Sequence, residues 1–144
     1  IKELYRASQA GVKVSLIVRG ICCLKPGIPN LSSNITVRSL IGRFLEHSRI
    51  FYFHAAGEEK VFGSSADIMG RNLHRRVEIA FPILVKSHKK RVIRETLTLA
   101  LRDDSQAWLL GMDGHYKKVS SPRVDSSLGL QETLIEQFKT TIGN

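Results

Sequence analysis

Phe44-Leu45-Glu46-His47-Ser48-Arg49-Ile50-Phe51-Tyr52-Phe53 runs a charged segment with one histidine straight into an aromatic strand. A second strand-like run follows. It ends in Gly63-Ser64-Ser65-Ala66-Asp67, a small-residue stretch closed by an acid. The apolar residues at 50–53 need cover from a core, so a sheet is expected here. His47 and Arg49 stand two apart at the strand's entrance. They point to the same side if the extended geometry begins at 47. An imidazole and a guanidinium presented together form an anion site, above all for a phosphate.

Working outward, residues 55–59 read as a hairpin loop between strands at 49–54 and 60–64. Upstream, residues 1–10 read as a helix with Ile1, Leu4, Tyr5 and Ser8 on one face and Gly11 at its stop. Residues 12–18 read as a strand. Its continuous Leu16-Ile17-Val18 suits a central strand covered on both faces. It ends at Arg19-Gly20, and the carboxyl ends of strands are where open α/β sheets hold ligands. Arg19 therefore stands where an anion clamp is useful, although an arginine at a strand end is equally an ordinary surface group. Residues 25–34 are loop, 35–38 a short strand, and 41–45 a helical turn.

Downstream, 68–74 is a short helix or an irregular loop. Residues 75–81 alternate, with Val77, Ile79 and Phe81 on one side, and Pro82 ends that strand. Ser87 caps a helix over 88–102 whose apolar stripe is Val92, Ile93, Leu97, Ala100 and Leu101. A hairpin over 107–119 turns at Asp113-Gly114. A Pro/Ser loop covers 120–127, and a last helix over 128–138 turns Leu130, Leu134, Ile135 and Phe138 to the core. The sum is an α/β fold, a single domain over residues 1–144 with a mixed sheet flanked by helices. The chain begins inside a helical pattern, with no initiator Met and no strand before it. A fragment of a longer protein is expected, with the first strand of the sheet missing.

The apolar share is 42 %, ordinary for a globular chain, and no run is long enough to span a membrane. Cys22 and Cys23 are adjacent and do not readily bridge each other, so two small buried hydrophobes in a reducing cytoplasm are expected. The net charge of +9 is uneven: residues 19–76 hold nine Lys and Arg against four acids, whereas 103–144 hold four against six. A basic front suggests a polyanionic partner, with a solvated basic face as the plain alternative. The five histidines at 47, 54, 74, 88 and 115 show no metal-ligand spacing. GxxxxGK[ST], GxGxxG and GxSxG are all absent, so P-loop, Rossmann and serine-hydrolase chemistry have no support.

Several long strings carry a family resemblance. They are Ala7-Ser8-Gln9-Ala10-Gly11-Val12-Lys13-Val14, Leu16-Ile17-Val18-Arg19-Gly20-Ile21-Cys22-Cys23-Leu24, and Val37-Arg38-Ser39. The others are Gly42-Arg43-Phe44-Leu45-Glu46-His47-Ser48-Arg49, and Ser64-Ser65-Ala66-Asp67 with Arg71-Asn72. Together they resemble the C-terminal region of the bacterial polyphosphate kinases related to phospholipase D. The resemblance is strong over about 5–85 and looser beyond.

It implies a phospholipase-D-like fold and reversible transfer of the terminal phosphate of ATP to polyphosphate through a phosphohistidine. It places Arg19 and His47 on the family's ATP-contacting arginine and histidine, with His47 as the catalytic one. The phosphorylated histidine, the magnesium contacts and the aromatic nucleotide contact lie in the preceding domain, outside this chain. Mg2+ is expected with ATP, and no metal ligand is expected here. Implied partners are ATP or ADP, polyphosphate, the other domains of the same longer chain, and further copies of it in a homo-oligomer; nucleic acid is not. The implied setting is cytoplasmic, with membrane association of the full-length enzyme.

The phospholipase D pattern HxKxxxxD followed by GSxN is only partly kept. Arg49 stands in place of the lysine and His54 in place of the aspartate. Arg49, Ser64, Ser65 and Asn72 are candidates to line a phosphate pocket, or else structural groups. Asp67 orients His47 or pairs with an arginine, the pairing being favoured. Two other functions stand beside the kinase: a phosphodiesterase completed by a second copy, and a non-catalytic polyanion-binding module.

Overall fold

The computed structural model describes residues 1–119 and 128–142, and the loop expected at 120–127 lies outside them. The α/β class is as expected. The strands, however, divide between two sheets, and the chain forms two compact units, Ile1–Glu46 with Leu101–Asn144 and His47–Ala100.

In the first unit, helix α1 (Lys2–Gln9) precedes strands β1 (Val14–Ile17) and β2 (Ile35–Leu40). These two pair in parallel, with Leu16 beside Val37. Farther along the chain, β6 (Ala107–Leu110) and β7 (Tyr116–Lys118) extend the sheet antiparallel, in the order β1-β2-β6-β7. Ile35 and Val37 alternate inward along β2 and form the core with Leu24. Leu4 and Tyr5 of α1 pack on this core with Leu16 and Val18. Among the described residues β1 is an edge strand, not the central one that its apolar run suggested. Sheet order is set by backbone partners, which side-chain hydrophobicity does not encode.

Buried Asp103, Asp104 and Gln131, with half-buried Arg38, tie this unit together. Arg38 on β2 donates to the Asp103 carbonyl at 3.0 Å and faces the Asp104 carboxylate at 3.6 Å. The Asp103 carboxylate accepts from the backbone of Ser105 and Gln106. Its second oxygen accepts from Leu130 N at 2.8 Å, at the start of helix α5 (Leu130–Ile142). That contact satisfies one of the helix's free amides. Buried Gln131 then clamps the segment before His47. Its Oε1 accepts from Phe44 N at 2.8 Å, and its Nε2 donates to Phe44 O and to Glu46 Oε1, each at 2.7 Å. The helical turn expected over 41–45 is therefore absent, because Phe44's backbone bonds to a side chain instead of to its own chain. Gly42 belongs to this fit: a Cβ there meets Gln131 Oε1 at 2.6 Å.

In the second unit, β3 (Ile50–Ala55), β4 (Glu58–Ser64) and β5 (Ala80–Pro82) form an antiparallel sheet. Ala56 and Gly57, with φ of 52° and 83°, make a two-residue turn whose twist suits a hairpin. Both strands consequently reach further than the five-residue loop expected at 55–59 allowed. Strand β5 pairs only with Phe62–Ser64, so the distal hairpin is two-stranded. This explains why Phe53, expected in the core with Phe51, is 57 % exposed, with its ring edge-on to that of Phe62.

The strand expected over 75–81 is mostly irregular. Val77 is fully exposed, and Pro82 lies inside β5 rather than ending the strand before it. Phe81 lies over Gly63, where a Cβ comes within 2.7 Å of its ring. Helix α2 (Gly70–Arg75) follows β4 in the chain. The long helix begins at Lys86 without a side-chain cap, so Ser87 sits inside it. It runs as α3 (Lys86–Val92), a π-helical turn Ile93–Thr98, and α4 (Leu99–Arg102). Cys22 is half-buried and Cys23 exposed, so only the first approaches the buried role expected of both.

Replacing Gln131 by Ala strands the Phe44 amide and carbonyl, and a loss of about 2 kcal/mol is expected in urea unfolding. An unchanged midpoint shows that the clamp contributes nothing.

Candidate functional site

The hairpin register positions the second unit's site. Ile50 stands opposite Gly63, so the strand entrance at Arg49 meets the strand exit at Ser64, whose amide donates to Arg49 O at 2.9 Å. His47 and Asp67 then extend from these two ends. Arg49 joins them: its Nε donates to Asp67 Oδ1 at 2.9 Å, and its Nη1 lies 3.2 Å from His47 Nδ1. Arg71 Nη2 approaches the other Asp67 oxygen at 3.9 Å. Arg49 and Asp67 are half-buried, whereas His47 is exposed. The expected pairing of His47 with Arg49 on one side is thus present, and Asp67 pairs with arginine rather than with the imidazole.

Ser64, Ser65 and Asn72 are held in a neighbouring network. Ser64 Oγ donates to Ile79 O at 3.1 Å and accepts from Ala66 N at 3.0 Å. Ser65 Oγ accepts from Ile79 N at 3.1 Å and donates to the Glu78 carboxylate. Asn72, buried on α2, donates through Nδ2 to Glu78 Oε1 at 2.7 Å, while its Oδ1 is buried without a partner. Both serine hydroxyls are therefore committed to the turn that follows β4.

Glu78 is the residue that sequence reading missed. It stood on the outer face of an alternating run, and nothing in that pattern marked it as the acceptor for two other side chains. The Ser65 hydroxyl, then the Asn72 amide, hold its carboxyl below the usual range. Partial burial opposes them, and the charges of Arg76 and Arg49 add to the lowering.

Arg19 belongs to the first unit. It is exposed just beyond β1, and its Nη1 donates to Glu46 O at 3.1 Å. Beside it is a cleft of about 260 Å³ lined by Arg19, Gly20, Ser39, Ile41, Trp108 and Tyr116. Trp108 reaches this place because it pairs with Ser39 across β2 and β6. Burial raises the Tyr116 phenol above its ordinary value, with a smaller push from Cys22. Neither aromatic carries a sequence motif, so only the strand pairing discloses them. Among the described residues no three His, Cys, Asp or Glu side chains gather as a metal site.

The polyphosphate kinase family matches through its C-terminal domain 2, over residues 1–131. This chain belongs to that family. The polyphosphate kinase of Burkholderia vietnamiensis is 64 % identical over 118 residues, covering 82 % of this chain and 17 % of that protein. The polyphosphate kinase of Paraburkholderia phytofirmans is 55 % identical over 138 residues, covering 96 % of this chain and 20 % of its own length. The crystal structure of polyphosphate kinase from Porphyromonas gingivalis superposes with a TM-score of 0.86 at 40 % identity, covering 96 % of this chain and 21 % of that one. This polyphosphate kinase domain spans about a fifth of the length of these relatives. Among its described residues no helix is long and apolar enough to cross a membrane.

Glu78 gives a test of the network in this domain. Its folded pKa lies below the ordinary 4.5, so its contribution to stability is present above that value and lost as pH falls through the folded pKa. The stability gap between wild type and Glu78→Gln is therefore expected to be widest near neutrality and to close in acid. A gap that does not vary with pH shows that the carboxylate is not held this way.

Proposed function

We propose that this domain supplies nucleotide-phosphate contacts to a polyphosphate kinase that reversibly moves the terminal phosphate of ATP onto polyphosphate. In this reading a phosphohistidine carried elsewhere in the longer protein is the intermediate. Phosphoryl transfer needs mainly positioning and positive charge near the phosphate oxygens. Arg19 clamps a phosphate, and His47 donates to a phosphate oxygen.

The observation that carries this reading is the exposed His47 imidazole held by a half-buried Arg49. It presents a polar ring and positive charge together on a chain of this family. Arg49 adds charge to the phosphate pocket, and Asp67 fixes Arg49. Ser64 through Ile79 and Ala66, and Ser65 and Asn72 through Glu78, shape the turn behind it. Mg2+ enters with ATP, and its protein contacts lie outside this chain. The remaining domains of the longer protein, and further copies of it, complete the enzyme in the cytoplasm.

A simpler reading, a polyanion-binding module, draws on the net charge of +9. Titrations of ATP, polyphosphate and single-stranded DNA at two salt concentrations separate the two. A pocket prefers ATP or short phosphate chains, whereas a charged surface binds all three and weakens steeply with salt.

In a full-length polyphosphate kinase carrying this domain, His47→Ala and Arg19→Ala are each expected to reduce ATP-dependent polymer synthesis by about 10²-fold or more. The 144-residue chain by itself is expected to show no turnover. Near-normal synthesis in both variants overturns the assignment.

A further inference from the structure

We infer that Arg49, aligned by Asp67, biases His47 toward its Nε2–H tautomer and so makes it a hydrogen-bond donor rather than a nucleophile toward phosphorus. Arg49 Nη1 lies 3.2 Å from His47 Nδ1. A guanidinium has only donors and stays charged at all ordinary pH, so the imidazole nitrogen facing it must be the acceptor. A neutral imidazole carries one proton, and with Nδ1 accepting, that proton is on Nε2.

The geometry holds this state in place. Arg49 Nε is 2.9 Å from Asp67 Oδ1, so the carboxylate fixes the guanidinium plane while Nη1 points back to the ring. The same Nη1 is 3.4 Å from the His47 carbonyl, which keeps the fork beside the strand entrance. Arg71 Nη2 stands 3.9 Å from the second Asp67 oxygen and leaves the Arg49 contact intact. Asp67 acts on the ring only through Arg49, so both are positioning residues.

The chemical consequence is specific. A histidine nucleophile needs a free lone pair on the attacking nitrogen. Here the Nδ1 lone pair is engaged by Arg49, and Nε2 carries a proton. Attack on phosphorus is disfavoured from either nitrogen, since Nδ1 must first leave Arg49 and Nε2 must first lose its proton. What His47 offers is an N–H, backed by the Arg49 charge, to an anionic oxygen of a phosphate chain. This gives the proposed donor role of His47 a physical basis, and it rests on that role for its meaning in function. The tautomer itself does not depend on any nucleotide.

The test is ¹⁵N NMR of the ring nitrogens in the 144-residue chain, at about pH 8, where an ordinary histidine is neutral. Exposed His54 in the same chain serves as the internal reference. His47 is expected to favour Nε2–H over Nδ1–H by about tenfold more than His54 does, the scale of one charge-assisted hydrogen bond. In Arg49→Leu, checked for an unchanged backbone amide spectrum, the excess is expected to vanish. In Asp67→Asn it is expected to fall several-fold. A wild-type ratio equal to that of His54 overturns the inference without any variant, so a misfolded Arg49→Leu leaves it falsifiable. An excess that survives Arg49→Leu also overturns it, and one unchanged in Asp67→Asn removes the aspartate from it. Loss of ATP binding in His47→Ala, measured separately by titration, bears on the proposed function and not on the tautomer.

Discussion

The register of one hairpin governs the candidate site. With Ala56 and Gly57 at positive φ, β3 and β4 can pair in only one way, and Ile50 falls opposite Gly63. A slip of one residue turns every side chain to the other face. In the observed register the charged entrance to β3 and the small-residue exit from β4 meet, and the Arg49–Asp67 contact forms between residues 18 apart in the chain. Gly63 permits this closeness at its other side as well, because the Phe81 ring lies where a Cβ belongs.

The first unit is organised by buried polar groups rather than by a turn. Gln131 uses both ends of its amide on the segment that precedes His47, and Asp103 uses both oxygens to join its own loop to the start of α5. Such groups are costly to bury unless every atom finds a partner. Once satisfied they specify one arrangement of the chain.

Much of the fold was legible. The α1, β1, β2 and β3 segments, the stripe on the 86–102 helix and the Asp113-Gly114 hairpin all follow from periodicity and turn chemistry, which act over a few residues. The errors share a cause. The helical turn at 41–45 yields to Gln131, some 87 residues away. Phe53 is exposed because β5 is too short to cover the distal hairpin. The strand over 75–81 shrinks to Ala80–Pro82, and just before it the Ser64 and Ser65 hydroxyls engage the backbone of Ile79.

By itself the sequence determined the class of fold and the basic front of the chain, and it set His47 two residues before Arg49. Charge is a sum over residues, and a spacing of two in an extended segment is local geometry. The long contiguous strings around Arg19 and His47 also marked the family. Only the tertiary structure decided which acid meets Arg49, which nitrogen of His47 accepts, and that Glu78 gathers Ser65 and Asn72. Those contacts join residues that are distant or unpatterned in sequence, and hydrogen-bond geometry exists only once the backbone has brought them within about 3 Å.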